Sequence, residues 1–402
     1  MIKSLQISTV YGGGAGRACI RLHEALLTRS DIISKVLTTQ IPPPEAKNVY
    51  RLSNSELELF LRRRWTKLIA ARALWGKPST QETFCMPRTG YAVHKHPLIA
   101  EVDLLNLHWT TKMLDHSSFF AAVNKPIVWT LHDMNPWSGG YPYDLGFPME
   151  EYQSVIEANL ALQTKSLQHI SNMTIVCPSR WLYDLSRQSK LFGRFRHELI
   201  PYSLDLAVFK PYEKLAAKQQ FALPRDKKVI LFVASHLQLR RKGLHHLVKA
   251  LSFLKEEADL EHFCLAIVGG GKINALPQGL QVIEIGRINN KDRLAQVYSA
   301  ADIFVIPSEQ DNLPNTVLES LACGTPVVGF EVGGIVDMVN EPALGRLGAK
   351  LDPQALKRAI KDALLDEFDQ AYIRQSAVKR YSHSIQASAY YSLYQEMLNN
   401  VH

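Results

Sequence analysis

Two spacings of apolar residues alternate along this chain. Short aliphatic and β-branched runs with few polar breaks recur at residues 5–10, 34–38, 103–108, 127–131, 174–178, 229–234, 265–268, 303–306 and 326–330. Such runs predict strands covered on both faces, as in parallel sheets. Between them the spacing becomes helical, over 18–27, from Gly243 to about Leu254, after Asn312 and over the tail 384–398. The stretch 303–339 holds the whole pattern in miniature. Pro307 closes its first strand, having no N–H for a ladder. Asn312 is placed as an N-cap with Pro314 near the first helical position. Gly324 stops the helix, a strand resumes at 326–330, and Gly333-Gly334 lets backbone come close to something.

Chemistry follows from that stretch. Asp311 and Glu319 lie eight residues apart, one on the loop and one in the helix. A ligand over the helix start meets N–H groups, the positive dipole end and two carboxylates. Phosphate wants the first two, and sugar hydroxyls want an acceptor of two hydrogen bonds. A sugar nucleotide has both needs.

Length and composition bound the reading. At 402 residues two domains are expected, and 46% apolar with 21% charged residues is ordinary for globular protein. Cys19, Cys85, Cys177, Cys264 and Cys323 form no C-x-x-C pair, which points away from a zinc site or disulfide framework and toward a reducing, cytoplasmic compartment. The start of the chain does not read as a signal peptide, and no run reaches the roughly 18 apolar residues of a span. A net charge of +8 suits anionic substrates, nucleic acid or an anionic membrane. Zinc-finger spacing, an aromatic RNA-binding signature and a long basic arm are missing from the sequence, so nucleic acid is the least favoured partner.

The loop Tyr11-Gly-Gly-Gly-Ala-Gly-Arg17 after the first strand is a phosphate-friendly turn. It is not a dinucleotide fingerprint, because Cys19 stands where a third glycine is needed and no acid closes the strand at 34–38. Gly14 and Gly16 are candidates to line a cleft. His108 and His132 each end a strand, where open α/β sheets place ligands. Residues 53–77 read as one helix. Leu57, Leu61, Trp65, Leu68 and Ile69 share a stripe, flanked by Arg62, Arg63, Arg64 and Lys67, with Arg72 falling back near it. The stripe either packs on the domain or lies on a membrane surface. The charged stretch 214–226 reads as a linker.

The stretch 303–339 resembles the donor-binding segment of the retaining, metal-independent GT-B glycosyltransferases of group 1. Ala322 to Val328 match its Ala-Cys-Gly-Thr-Pro-Val-Val strand letter for letter, and Gly333-Gly334 its following turn. The resemblance implies that Glu319 holds ribose hydroxyls and that Asp311, in place of a Glu, faces the transferred sugar. Asn312-Leu313-Pro314 replace a common Gly-Phe-Gly, so phosphate contacts fall to the N–H groups of Asn315 and Thr316. Lys242-Gly243 match the family's diphosphate lysine. Ser235-His236 stand where its arginine is expected, and Arg240 or Arg241 is left to substitute. Arg287 and Ile288 lie at the place of backbone contacts to the base. The run from Trp129 to Gly140 resembles closely members that build bacterial exopolysaccharides. It implies that His132 meets the transferred sugar.

The fold expected is therefore GT-B: Rossmann-like acceptor domain 1–205, Rossmann-like donor domain 206–382, the two facing a cleft, and a helix 383–402 returning to the first. The activity expected is retaining transfer of a hexose, UDP-glucose or similar as donor, to a saccharide or lipid-linked saccharide in exopolysaccharide synthesis. Catalytic roles fall to His132, Asp311 and Lys242. No cofactor and no metal site is expected, since Asp-x-Asp does not occur at the site and protein groups carry the leaving charge. Partners are the nucleotide sugar, the acceptor and, through the basic helix, the inner face of an anionic membrane. A nucleotide-sugar epimerase and a non-catalytic nucleotide-sugar binding protein are the alternatives.

Overall fold

The computed structural model describes residues 1–257, 260–271, 273, 276–349 and 351–400. The chain divides into two units, Met1–Ser203 with His383–His402, and Leu204–Ser382. The last two residues of the returning segment lie outside the described residues.

The first unit is a seven-stranded parallel sheet: β1 (Ile2–Ile7), β2 (Ile32–Thr38), β3 (Val49–Arg51), β4 (Leu104–Leu107), β5 (Ile127–Thr130), β6 (Met173–Cys177) and β7 (Arg196–Leu199), ordered β3-β2-β1-β4-β5-β6-β7. β4, β5 and β6 are buried at every position, as their mostly apolar runs predict, with Asn106, Thr130 and Thr174 as buried polar exceptions. β3 and β7 are half-exposed edges. β7, Arg-His-Glu-Leu, carries the charge that keeps a free edge from pairing, and so sends no apolar signal. The C-terminal helix His383–Asn399 belongs to this unit. Its Tyr390 and Tyr394 are buried with Leu22, Leu26, Leu104 and Val128. Buried hydroxyls need partners: Tyr390 shares a 2.8 Å hydrogen bond with Thr130, and the Tyr394 hydroxyl accepts from the Asn106 amide at 3.1 Å.

The second unit has six parallel strands: β8 (Lys228–His236), β9 (Phe263–Gly270), β10 (Gln281–Gly286), β11 (Ile303–Ile306), β12 (Val327–Phe330) and β13 (Gly345–Gly348), ordered β10-β9-β8-β11-β12-β13. Each sheet reverses its winding once, between β1 and β4 and between β8 and β11. Ligands of open α/β sheets bind beyond the strand ends at such points.

Three local expectations are corrected. The stretch 214–226 is not a bare linker: Lys214–Gln220 is a helix of the second unit, with Glu213 accepting from the N–H groups of Leu215 and Ala216. Asn312 is not an N-cap, because the helix is Asn315–Ala322 and Pro314 holds the extended cap position (φ −66°, ψ 122°) without a side-chain cap. The basic helix is Glu56–Ala73, capped by Ser55, and it buries Leu59 and Thr66 while Leu57, Leu61, Trp65 and Leu68 face outward. Its inner face is fixed by hydrogen bonds more than by apolar packing. Arg62 donates to the Gly90 carbonyl at 2.6 Å, and the Thr66 hydroxyl accepts from the Gly90 N–H at 2.9 Å. Among the described residues no helix is long and apolar enough to cross a membrane.

Candidate functional site

In the second unit, three loops leaving β8, β11 and β12 converge on Asp311. After β8 comes a single turn, Arg240–Lys242, and then Gly243 with φ +72°. A Cβ on Gly243 would stand 1.7 Å from the Pro307 carbonyl oxygen, so only glycine lets this loop lie on the end of β11. The loop after β12 closes from the other side. Gly333 (φ +53°) leaves room for the Asp311 carbonyl, 1.9 Å from where its Cβ would be, and the Gly334 N–H donates to that carbonyl at 3.1 Å.

The consequence is an ion cluster. Lys242 Nζ lies 2.5 Å from Asp311 Oδ2, and the Arg241 guanidinium lies 3.4 Å from Oδ1 while donating to the Gln310 carbonyl at 2.7 Å. Burial alone would raise the Asp311 carboxyl, but the Lys242 and Arg241 charges and the N–H of Asn312 outweigh it and hold it below the usual carboxylate range. The resemblance had Lys242 on the diphosphate and Asp311 on the sugar. The structure brings them into contact with each other, with Arg241 as third member. Beside them Glu309 gathers His245 at 3.2 Å, His246 at 3.1 Å and Arg240 at 3.7 Å. Of the described residues only His245, His246 and Glu309 are grouped closely enough to hold a metal ion, and Arg240 already offers that carboxylate a positive charge.

Asn312 and Leu313 are buried in the loop, and Asn315 and Thr316 open the helix, in the turn whose N–H groups find no intrahelical acceptor. Glu319 is buried one turn further on and accepts from the Tyr298 hydroxyl at 3.3 Å. Arg287 and Ile288 follow β10. The Arg287 guanidinium, 3.3 Å from His236 Nδ1, reaches the end of β8, where the sequence pattern lacks an arginine. Sequence reasoning did not find that contact. Its signal is tertiary, because the glycines that end β9 let Arg287 pass: a Cβ on Gly270 would stand 2.2 Å from its Nε.

In the first unit, Gly14 is exposed and Gly16 buried at the start of the helix Gly13–Leu27. A Cβ on Gly16 would stand 2.7 Å from the Val10 carbonyl oxygen, so Gly16 shapes the turn. His132 lies in a buried hydrogen-bonded chain. Its Nδ1 is 2.7 Å from the Tyr202 hydroxyl, its Nε2 is 3.1 Å from His108 Nδ1, and His108 Nε2 is 3.1 Å from Gln6 Oε1. The Gln6 amide nitrogen donates to Ser4, so its oxygen accepts from His108. Neutral tautomers then run one way, Tyr202 to His132 to His108 to Gln6. Burial pushes His132 down to about 3, and burial with the neighbouring ring pushes His108 well below its ordinary value. A proton added to His108 would set its Nδ1–H against the Nε2–H of His132. One added to His132 would make Nδ1 a donor to Tyr202, whose own hydroxyl proton would then turn to the Leu131 carbonyl 3.3 Å away.

That chain borders a cavity of about 30 Å³ that sequence reasoning missed. Its lining includes Asn135, whose amide nitrogen and oxygen are both buried without a hydrogen-bond partner, together with Trp129 Nε1, His116 Nδ1 and Gln163 Oε1 in the same condition. Such atoms call for a polar guest about the size of water.

Comparison with known proteins bears on the second unit's sequence and on the fold. Residues 227–366 match the family model described as glycosyl transferases group 1. The D-inositol 3-phosphate glycosyltransferase of Thermobispora bispora is 29% identical over 214 residues, covering 50% of each chain. That of Mycobacteroides abscessus is 35% identical over 164 residues, covering 38% of this chain and 35% of the relative. The chain spans about half the length, or less, of the curated relatives it matches. Among solved structures, sucrose-phosphate synthase from Thermosynechococcus elongatus superposes over 100% of both chains with a TM-score of 0.70 at 20% identity. HepE of Anabaena, in complex with UDP-glucose, does so over 98% of this chain and 100% of its own, with a TM-score of 0.66 at 14% identity. Identities that low bear on the fold alone. Residues 227–366 therefore form a glycosyl transferases group 1 domain by sequence, and the two Rossmann-like sheets follow the GT-B plan in fold.

Proposed function

We propose that the chain is a hexosyltransferase that takes a sugar from a nucleoside diphosphate, UDP-glucose or similar, and passes it to a saccharide or lipid-linked saccharide with retention at the anomeric carbon. One observation carries the reading: three loops at the β8/β11 switch point gather Lys242 and Arg241 on Asp311, in the loop that leads into the helix Asn315–Ala322. Cations and a helix N-terminus together suit a diphosphate. UDP-glucose in HepE and the inositol phosphate glycosyltransferases among the relatives support the substrate class. The resemblance of the run from Trp129 to Gly140 supports a place in exopolysaccharide synthesis.

In this reading Asp311 holds Lys242 and Arg241 in place, Arg287 adds a third cation, and Glu319 takes ribose hydroxyls. As the bond from the anomeric carbon to the phosphate oxygen breaks, the acceptor oxygen bonds to the same face of that carbon. Its proton passes to the departing phosphate oxygen, so the products are the glycoside and the nucleoside diphosphate. The protein contributes charge stabilisation and positioning. Incubation with radiolabelled UDP-glucose, with and without a panel of saccharide acceptors, tests the proposal. Transfer that needs acceptor, with the product's anomeric configuration read by NMR, is expected. Epimerised donor in the absence of acceptor, or failure to bind UDP in calorimetry, sinks it.

A further inference from the structure

We infer that the helix Glu56–Ala73 and the turn after it dock the first unit on a bilayer rich in anionic lipid. At about 100° per residue, Leu57, Leu61, Arg64 and Leu68 fall within about 60° of one another, opposite Leu59 and Thr66. The inner face is therefore narrow and the outer one broad. On the outer face Leu57 is 68% exposed, Trp65 58% and Leu68 59%, with Phe60 and Leu61 similarly bare and Trp75 87% exposed just beyond the helix. Isolated exposed apolar residues are ordinary, but six within 19 residues of chain form a patch that calls for a partner.

Charge decides which partner. The helix's two acids are neutralised on their own side, Glu56 by Arg51 and Glu58 by Arg62. Arg63, Arg64, Lys67 and Arg72 are exposed and make no ion pair with an acid among the described residues. Arg64 and Arg72 lie within the apolar face. Their long stems can lie along it while the guanidinium reaches the headgroups, and the Arg64 guanidinium is 5.6 Å from the Phe60 ring centre. Exposed indoles beside arginines suit the interface between acyl chains and acidic headgroups. A second copy of this chain would bring the same four cations against themselves, which disfavours a symmetric dimer through this face.

The inference rests on surface chemistry and is independent of the transferase reading, so it is tested without donor or acceptor. The full chain is sedimented with phosphatidylcholine vesicles and with vesicles in which phosphatidylglycerol replaces part of the lipid. Each arginine or lysine near an anionic surface is worth about fivefold in partitioning, so Arg63→Gln, Arg64→Gln and Lys67→Gln together should weaken binding about a hundredfold. Trp65→Ser with Trp75→Ser should weaken it about tenfold and remove a vesicle-induced blue shift in tryptophan emission. Because all five residues are exposed, both variants should melt at the wild-type temperature. Binding should also fade toward about 1 M salt, where the Debye length is about 3 Å. Equal binding to neutral and anionic vesicles, no binding at low salt, or a dimer in light scattering that the tryptophan variant dissolves would each overturn the inference.

Discussion

Asp311→Ala is the substitution whose consequence the structure specifies most fully. It removes the anion that Lys242 contacts at 2.5 Å and Arg241 at 3.4 Å. Both cations stay where Gly243 and the Arg241–Gln310 hydrogen bond hold them, now without the Asp311 charge between them. Removing one partner of a buried ion pair costs about 3–5 kcal/mol. The Lys242 side chain is 27% exposed, so solvent takes part of the load and the lower end, about 3 kcal/mol, applies. For a unit of this size 1 kcal/mol shifts the melting temperature by roughly 2–4 °C, so a fall of about 6–12 °C is expected. A diphosphate brings its own charge to the same two cations. UDP should therefore raise the melting temperature of Asp311→Ala by more than that of the wild type, with the gain following ligand concentration over Kd. Scanning calorimetry with and without UDP, and titration calorimetry at one temperature, measure both halves. Asp311→Asn, which keeps the shape and loses the charge, should behave the same way. A variant that melts like wild type, or equal stabilisation of both by UDP, would refute the idea that these cations await phosphate.

Glu319→Ala should lose charge-assisted hydrogen bonds worth about 1.5–3 kcal/mol and weaken UDP roughly ten- to hundredfold in calorimetry, whereas Tyr298→Phe, which removes only the hydroxyl at 3.3 Å, should leave UDP binding near wild type. His132→Ala should lower kcat by a larger factor than it changes UDP affinity, and unchanged kinetics would leave His132 with its part in the buried chain alone. Stability should depend on pH through the buried imidazoles. Burial holds His132 at about 3 and His116 at about 4, so the unfolded chain binds more protons below about 6.5, and folding free energy is lost as pH falls from there toward 4. At pH 5 the loss is about 2 kcal/mol for each such histidine, visible in urea melts at pH 7 and 5, and His116→Gln should flatten that dependence. Gly333→Ala forces a side chain to φ +53° and to 1.9 Å from the Asp311 carbonyl, and should abolish UDP binding or soluble expression, whichever is read first.

Much of this molecule is written in local order. Mostly apolar runs specify β4, β5, β6, β11 and β12, because a strand covered on both faces admits a polar residue only where a buried partner waits for it, as Tyr394 does for Asn106. Gly324 and Gly333 mark turns because their positive φ admits few other residues. The run Ala322 to Val328 and the carboxylates Asp311 and Glu319 single out the stretch 303–339 for the same reason: close packing and charge leave little choice of residue. What stayed hidden depends on partners far away in sequence. β3, β7, β10 and β13 have mixed composition, and it is pairing with a neighbouring strand that makes them strands. Which face of the helix Glu56–Ala73 turns inward could not be read from its apolar spacing, because Gly90 claims Arg62 and Thr66 by hydrogen bonds and leaves Leu57, Leu61 and Leu68 outside. The chain of Tyr202, His132, His108 and Gln6 joins four segments, and the reach of Arg287 to His236 joins two more. A sequence lists such groups, but only the packing of the sheets sets the distance between them, and at these sites a displacement of about 1 Å separates a hydrogen bond from none.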